Sequence, residues 1–478
     1  MRFARPRTPL HRTLFVVPAL VLLALVLDGA VALRAGAARV TPVDDLAQGL
    51  LEAGRLPSLS VAILSDGEIV YARALGSADL DPGTPATTDT RYRCASVSKV
   101  LTATALGRLV EQGRIDLDAP VTRYVPSWPA EPVISPRQLA GHLSGVAHYQ
   151  PADRIDRGHH YASVGEALGV FRESPRAAAP GEEYAYSTHG FTLLSAAIEG
   201  AAGAPFLEVL ENEVFQPLGM KSSGPDLRAS PHEDMSTLYG RQGLEPSPIA
   251  RPEDPSYKWA GGGLVSTPSD LVRLADAYMN GFLSDEVVEE MWTGQTTAGG
   301  EETGVGIAWR IGEDPYGRRV IHHSGSMGGA RTTLAIYPDE REAIAIMTNI
   351  TWPSDIHTTA MWMMEAYRRG LEAPSRRAPI ETGGARTYEG TFGDDSASGT
   401  LVLGAEESWI STPEPFVEWS DDLVTERMTL RHLEGSRWLL IAPWGIYGME
   451  IREAEGIVRG TGEFGSNTWT FETTAAGG

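Results

Sequence analysis

Ser96 and Lys99 stand three residues apart in the segment Ser96-Val97-Ser98-Lys99. On a helix that spacing puts both side chains on one face, so the lysine amine can reach the serine hydroxyl. A serine hydroxyl is a weak nucleophile until a neighbouring base takes its proton, and a desolvated lysine can be that base. Lysine is scarce here: Lys99, Lys221 and Lys258 are the only three, against 37 arginines. At this composition a chance Ser-x-x-Lys is expected roughly 0.2 times in the chain. Read alone, the tetrapeptide also fits a helix-capping serine beside a solvated lysine. Cys94, the single cysteine, lies two residues before Ser96 and reads as a small buried hydrophobe. One cysteine excludes an intramolecular disulfide and any cysteine-based metal cluster.

Two further segments carry groups that could complete such a site. Tyr186-Ser187-Thr188 follows a loop opened by Pro180-Gly181 and precedes the helix-like run from Phe191 to Glu199. A tyrosine hydroxyl can relay protons beside a cation, and Lys99 could be that cation. His323-Ser324-Gly325 precedes Ser326 and Met327-Gly328-Gly329. Glycines there would let a strand edge approach a substrate backbone and aim an N–H group at a developing oxyanion. Each segment also has a plain reading, as a core aromatic or a glycine-rich turn. His159-His160 and His322-His323 lack metal-ligand spacing, and His232-Glu233 has no second histidine three residues on. No metal and no other cofactor is therefore expected. The chain has no Gly-x-Ser-x-Gly, which argues against a strand-to-helix nucleophile turn of the α/β-hydrolase kind.

The elements that must position these groups follow from hydrophobic periodicity. Leu59 to Leu64 and Glu68 to Ala72 flank Ser65-Asp66-Gly67, predicting a β-hairpin. Ser96 to Gln112 has helical spacing of apolar residues and ends at Gly113. Thr267-Pro268-Ser269-Asp270 predicts a helix start, with Thr267 as cap, Pro268 first and Asp270 in the capping-box position. Thr332 to Tyr337 and Ala343 to Thr348 predict paired strands, followed by a helix near 356–370. Strands, then helices, then strands and a closing helix make one mixed α/β (α+β) domain with an antiparallel sheet. A Pro-, Gly- and Arg-rich stretch at 373–386 reads as a linker. The remainder, 387–478, holds short alternating segments (Thr400 to Leu403, Trp409 to Ser411, Met428 to Leu433, Trp438 to Ile441, Met449 to Ile451, Thr468 to Phe471) and predicts a small all-β barrel or sandwich.

The 478-residue chain has a formal net charge of −22, which argues against a nucleic-acid partner. Its first 38 residues stand apart from the globular part. Arg2, Arg5, Arg7 and Arg12 precede an apolar run from Leu14 to Leu27, and Ala30-Val31-Ala32 offers small residues for cleavage. A cleaved export signal, leading to a periplasmic or extracellular protein, is the first reading. An uncleaved inner-membrane anchor is the second, because Leu14 to Leu33 as a helix would span about 30 Å.

Together the three motifs resemble the serine β-lactamase and penicillin-recognising superfamily, in its branch of class C β-lactamase-related hydrolases that includes mitochondrial lactamase-like proteins. That family shows Ser-x-x-Lys, then Tyr-x-Asn, then Lys-Thr-Gly or His-x-Gly. Supporting phrases are Ile134 to Val146 (ISPRQLAGHLSGV), Phe215 to Met220 (FQPLGM), Gly262 to Thr267 (GGLVST) and Gly306 to Trp309 (GIAW). The likeness runs from about Val43 to Gly370 and implies a β-lactamase/transpeptidase-like domain over 39–372. It implies Ser96 as the acylated nucleophile, Lys99 as its base partner, Tyr186 as proton relay and His323 on the strand beside the substrate. The backbone N–H groups of Ser96 and Ser326 would form the oxyanion hole, and Thr188, Ser324 and Gly325 would bind substrate. The middle motif ends in Thr188 where the family carries asparagine, and a hydroxyl offers less than an amide for holding a substrate's amide side chain. The expectation is a serine hydrolase of a small-molecule or peptide substrate, peptide-like amides before esters and both before β-lactams. A non-catalytic penicillin- or peptide-binding protein, or a true β-lactamase or esterase, is the alternative.

Overall fold

The computed structural model describes residues 42–229, 231–243, 245–351, 355–370, 385–392, 395–403, 408–412, 426–455, 457–464 and 467–473. The expected export signal or anchor lies outside these residues, as does the expected linker except for Ala385 and Arg386, which open a strand.

A seven-stranded antiparallel sheet forms the frame. Its first hairpin joins Ser58–Ser65 to Glu68–Asp79 through Asp66 and Gly67, both at positive φ (49° and 84°). That tight turn is why Asp-Gly stands there. The first strand is buried on both faces, so its centre, Val61 to Leu64, reads as a continuous apolar run, and period-two alternation divides its side chains. Ala62 and Leu64 join the core beneath the helical subdomain, while Leu59, Val61 and Ile63 join the core on the other face. Downstream, Arg319–Met327, Ala330–Tyr337 and Glu342–Thr348 complete the sheet centre, the last pairing with the first strand from Leu59↔Thr348 to Ser65↔Glu342.

The helical subdomain packs on one face around the helix Ser98–Glu111, which is buried from Ser98 to Gly107. A single 3-10 turn, Ala95–Val97, leads into that helix, so Ser96 sits just ahead of it. The helix expected from Phe191 begins earlier, at Thr188, because the Ser187 hydroxyl accepts the Gly190 N–H at 2.8 Å and caps it. Thr267 caps Pro268–Met279 as expected, accepting from the Asp270 N–H at 3.2 Å. The Asp270 carboxylate does not return that bond; it accepts from the Ser222 N–H and the Ser223 hydroxyl, and pairs with Arg273.

On the opposite face lie the helix at 42–53 and the closing helix Ile356–Arg369. The C-terminal strands form a closed eight-stranded barrel from Ala385–Phe392 to Asn467–Thr473. It seats on the closing helix: the Ile446 N–H donates to Thr359 Oγ1 at 3.0 Å, and Gly448 leaves room for the Trp362 indole. Barrel residues Leu439, Ile441 and Ile446 share the core of this face.

Candidate active site

The floor of the site is built from one backbone crossing. Ala95 has φ +46°, a conformation that costs a residue with a Cβ on the order of 1–2 kcal/mol. The strand Arg319–Met327 passes directly over it. A Cβ placed on Gly325 would lie 2.4 Å from the Cys94 carbonyl and 2.8 Å from the Ser96 nitrogen. Gly325 is therefore the residue that lets this strand touch the backbone of the turn carrying Ser96 without displacing it. Beyond His322 the strand has no partner on its outer side among the described residues, since Arg310–Glu313 pairs only with 319–322. The edge from Ser324 to Met327 thus borders an open cleft of about 530 Å³.

Lys99 is fully buried beneath this cleft. Its amine lies 3.4 Å from the Ser96 hydroxyl, 3.2 Å from Thr188 Oγ1 and 2.6 Å from the Gly261 carbonyl. Burial, reinforced by the positive field of Arg310, pulls its pKa well below the usual lysine range. The cost of burying an unpaired ammonium is what favours the neutral amine, which is the form that can accept a proton. Tyr186 lies across the amine, with its ring 4.8 Å from Nζ. Burial raises the Tyr186 pKa, while a hydrogen bond with Ser96 and the charge of Arg310 oppose the rise. The group is a neutral phenol at ordinary pH, a proton donor and not a base.

The segment His142 to Tyr149 fixes Tyr186 and its neighbours. Ser135 and Gln138 form a reciprocal cap on the helix Pro136–Ala140, which delivers His142 into the core. The His142 ring packs 4.4 Å from Tyr186, and its Nδ1 accepts the Ser187 N–H at 3.1 Å. His148 Nδ1 accepts the Thr188 N–H at 3.2 Å, and burial holds its pKa down to about 4. Both imidazoles act as neutral acceptors that hold the Tyr186-Ser187-Thr188 backbone in place.

Ser96, Tyr186, Thr188, Ser324, Gly325 and Ser326 all line the cleft. His323 does not. It is only 2% exposed, and its ring centroid is 6.5 Å from that of Tyr186 on the buried side of the strand. The reason is strand alternation: His323 and Gly325 share a face, and Gly325 faces the turn carrying Ser96. Burial, with Lys99 and Arg310 nearby, drops the His323 pKa to about 3, so it is a neutral neighbour of Tyr186 and Lys99. Thr188 lines the cleft, and its hydroxyl is also engaged by Lys99.

Several cleft residues carried no recognised motif. Tyr149, Arg157, Glu253 and Lys258 form one wall. Lys258 donates to Glu253 at 2.5 Å, Arg157 pairs with the same carboxylate, and the Tyr257 hydroxyl donates to it at 3.2 Å. The scarcity of lysine was a usable signal: two of the three lysines stand at this site. Arg331 lines the far end, where burial lowers its pKa to about 10. Among the described residues it has no carboxylate partner, only a bond to the Ala330 carbonyl at 3.2 Å.

This arrangement sits within a recognisable sequence. Residues 43–367 match the Beta-lactamase family. The chain belongs to that family. This Beta-lactamase family member is 30% identical over 338 residues to the esterase EstB of Burkholderia gladioli, covering 61% of this chain and 84% of that protein. It is 26% identical over 435 residues to the mitochondrial serine beta-lactamase-like protein LACTB of Mus musculus, covering 68% of this chain and 77% of LACTB. In fold it matches an octameric penicillin-binding protein homologue from Pyrococcus abyssi with a TM-score of 0.59 and 21% identity, over 90% of this chain and 99% of that one. A class C beta-lactamase matches with a TM-score of 0.58 and 22% identity, over 68% of this chain and 96% of that one. Its relatives are serine hydrolases, with an esterase and a D-alanyl-D-alanine-carboxypeptidase/endopeptidase of Escherichia coli among them.

Proposed function

We propose that this protein is an exported serine hydrolase that cleaves an amide or ester bond through an acyl-Ser96 intermediate, with peptide-like substrates favoured. The observation that carries the reading is the fully buried Lys99 amine 3.4 Å from a Ser96 hydroxyl that opens onto the cleft. In this reading neutral Lys99 takes the Ser96 proton as Oγ attacks the carbonyl carbon. The N–H groups of Ser96 and Ser326 stabilise the oxyanion, each donor being worth roughly 3 kcal/mol. Tyr186 gives its proton to the departing nitrogen or oxygen and is reprotonated from Lys99. Water then enters and the same groups run in reverse, releasing the acid and restoring Ser96. The open cleft supports turnover over mere binding. Export rests on the arginines and apolar run of the first 38 residues.

Arg331 supports peptide-like substrates, because a half-buried guanidinium without a carboxylate partner among the described residues favours a ligand that brings one. Arg331→Ala is expected to raise KM by roughly ten- to hundredfold for substrates with a carboxylate on the leaving group, and to leave neutral nitrophenyl esters unchanged. Steady-state kinetics on D- and L-peptides, a chromogenic cephalosporin and nitrophenyl esters, run beside Ser96→Ala, test both statements. Equal turnover by Ser96→Ala on every substrate would end the acyl-Ser96 reading.

A further inference from the structure

Arg93 stands three residues before Ser96 and is only 2% exposed. Its Nε lies 2.6 Å from a carboxylate oxygen of Asp226, which is itself buried. Replacing a pair this deep by apolar side chains of similar volume is often neutral, because desolvation offsets the attraction, so stability alone does not call for it. What apolar side chains could not do is found at the far end of the guanidinium. Nη1 donates to the Gly328 carbonyl at 3.2 Å, and Nη2 donates to the Glu253 carbonyl at 3.1 Å. Both acceptors are backbone atoms of residues that line the cleft. We infer that Arg93 is a positioning residue: it holds the turn after Ser326 and the wall of Glu253 and Lys258 at one fixed separation, and ties both to the segment that carries Ser96.

A guanidinium is planar and presents its donors as a rigid fork, so two bonds from one group fix two acceptors relative to each other. The fork is anchored from behind. Tyr92 and Arg93 pair with Ser266 and Val265 in a short strand, and the Arg93 carbonyl accepts from Thr332 Oγ1 at 2.9 Å. Gly328 has no side chain with which to hold its own turn; besides Arg93, the Gly329 N–H donates to Thr351 Oγ1 at 3.0 Å. Glu253 in turn carries Lys258 on its carboxylate at 2.5 Å, so its backbone sets where that wall stands. The Gly325 crossing pins the strand at Ser96 without help from Arg93. Arg93 therefore governs the rim beyond Ser326, not the bond-making at Ser96. A substrate that lies along the strand edge and reaches the wall meets both segments at once, and their fixed spacing spares it the cost of ordering them. A substrate small enough to meet only Ser96 and the oxyanion donors gains nothing from that spacing. A lysine could keep the charge beside Asp226, but its ammonium is a point charge without the fork.

The inference rests on the acyl-Ser96 reading, and the test separates the two. One variant combines Arg93→Met with Asp226→Leu, exchanging the pair for apolar side chains of similar volume; the other is Arg93→Lys, which decides alone if the first does not fold. Two nitrophenyl esters are compared, the acetate and that of benzyloxycarbonylglycine, equal in leaving group and different in reach on the acyl side. Both variants are expected to raise KM for the long ester by roughly ten- to hundredfold, the range for losing a charge-assisted hydrogen bond. Its kcat, and both constants for the acetate, should stay within about threefold of the parent, since those steps do not draw on the rim. Hydrogen exchange followed by mass spectrometry should quicken in peptides covering 253–258 and 326–329 and stay unchanged in the helix after Ser96. An unchanged KM for the long ester, full recovery in Arg93→Lys, equal losses for both esters, or unchanged exchange in both segments would each overturn the clamp. Turnover by Ser96→Ala equal to the parent would instead remove the reading beneath it, and the exchange measurement would still decide the clamp.

Discussion

Lys99→Met is expected to slow acylation of Ser96 by about a thousandfold or more, within the range that a positioned acid–base group contributes. Methionine fills a similar volume at a fully buried position, so the fold should persist. It leaves the Gly261 carbonyl and Thr188 hydroxyl without their donor, a loss of about 1–3 kcal/mol in stability. Stopped-flow acylation together with thermal unfolding separates the two effects; a rate within tenfold of the parent in a folded variant would contradict the role. The parent's pH profile follows from the same group. Neutral Lys99 is the active form and its pKa lies well below the usual lysine range, so activity rises as pH climbs through that lowered value. His323, with a pKa near 3, adds no limb above pH ~5. Tyr186, raised by burial, remains protonated through neutral pH and loses its proton only on the alkaline side.

Gly325→Ala is the second large effect. Its new Cβ would stand 2.4 Å from the Cys94 carbonyl and 2.8 Å from the Ser96 nitrogen, both backbone atoms that no rotamer change can move. The strand and the turn must part, and a displacement near 1 Å at reacting groups can lower the rate by about a hundredfold. Stability should fall by about 1–3 kcal/mol through overpacking. Gly328→Ala is the matched control on the same cleft, since its Cβ would make only an ordinary 3.6 Å contact with Ile249. Comparison of kcat/KM and thermal midpoints for the two variants checks the argument; equal effects would refute it.

Much of the site could be read before the fold because its parts are local. Ser96 and Lys99 are joined by one helical turn, and Ser187 caps the helix that follows Tyr186. The first hairpin and the Thr267 cap were legible for the same reason: an Asp-Gly turn and a Thr-Pro start act over four residues. The wall of Tyr149, Glu253 and Lys258 was not, because it joins segments about a hundred residues apart through side chains that form no motif. His323 was placed on its strand, but that its ring is buried beside Tyr186 was not legible. Strand alternation with Gly325 decides that, yet the face of Gly325 is known only once its contact with Ser96 is seen. In the barrel, Ala385–Phe392 and Ile457–Phe464 escaped notice because glycines and charges interrupt their alternation, and pairing with neighbours supplies what propensity lacks. No described barrel residue lines the cleft, which agrees with its seat on the closing helix at the other face of the sheet.

The most direct measurement is intact-protein and peptide mass spectrometry after brief reaction with a fluorophosphonate or a penicillin. The account predicts one adduct per chain, located on the peptide containing Ser96, absent from Ser96→Ala and formed far more slowly in Lys99→Met. An adduct of equal extent in Ser96→Ala, or one placed on any other residue, would contradict it.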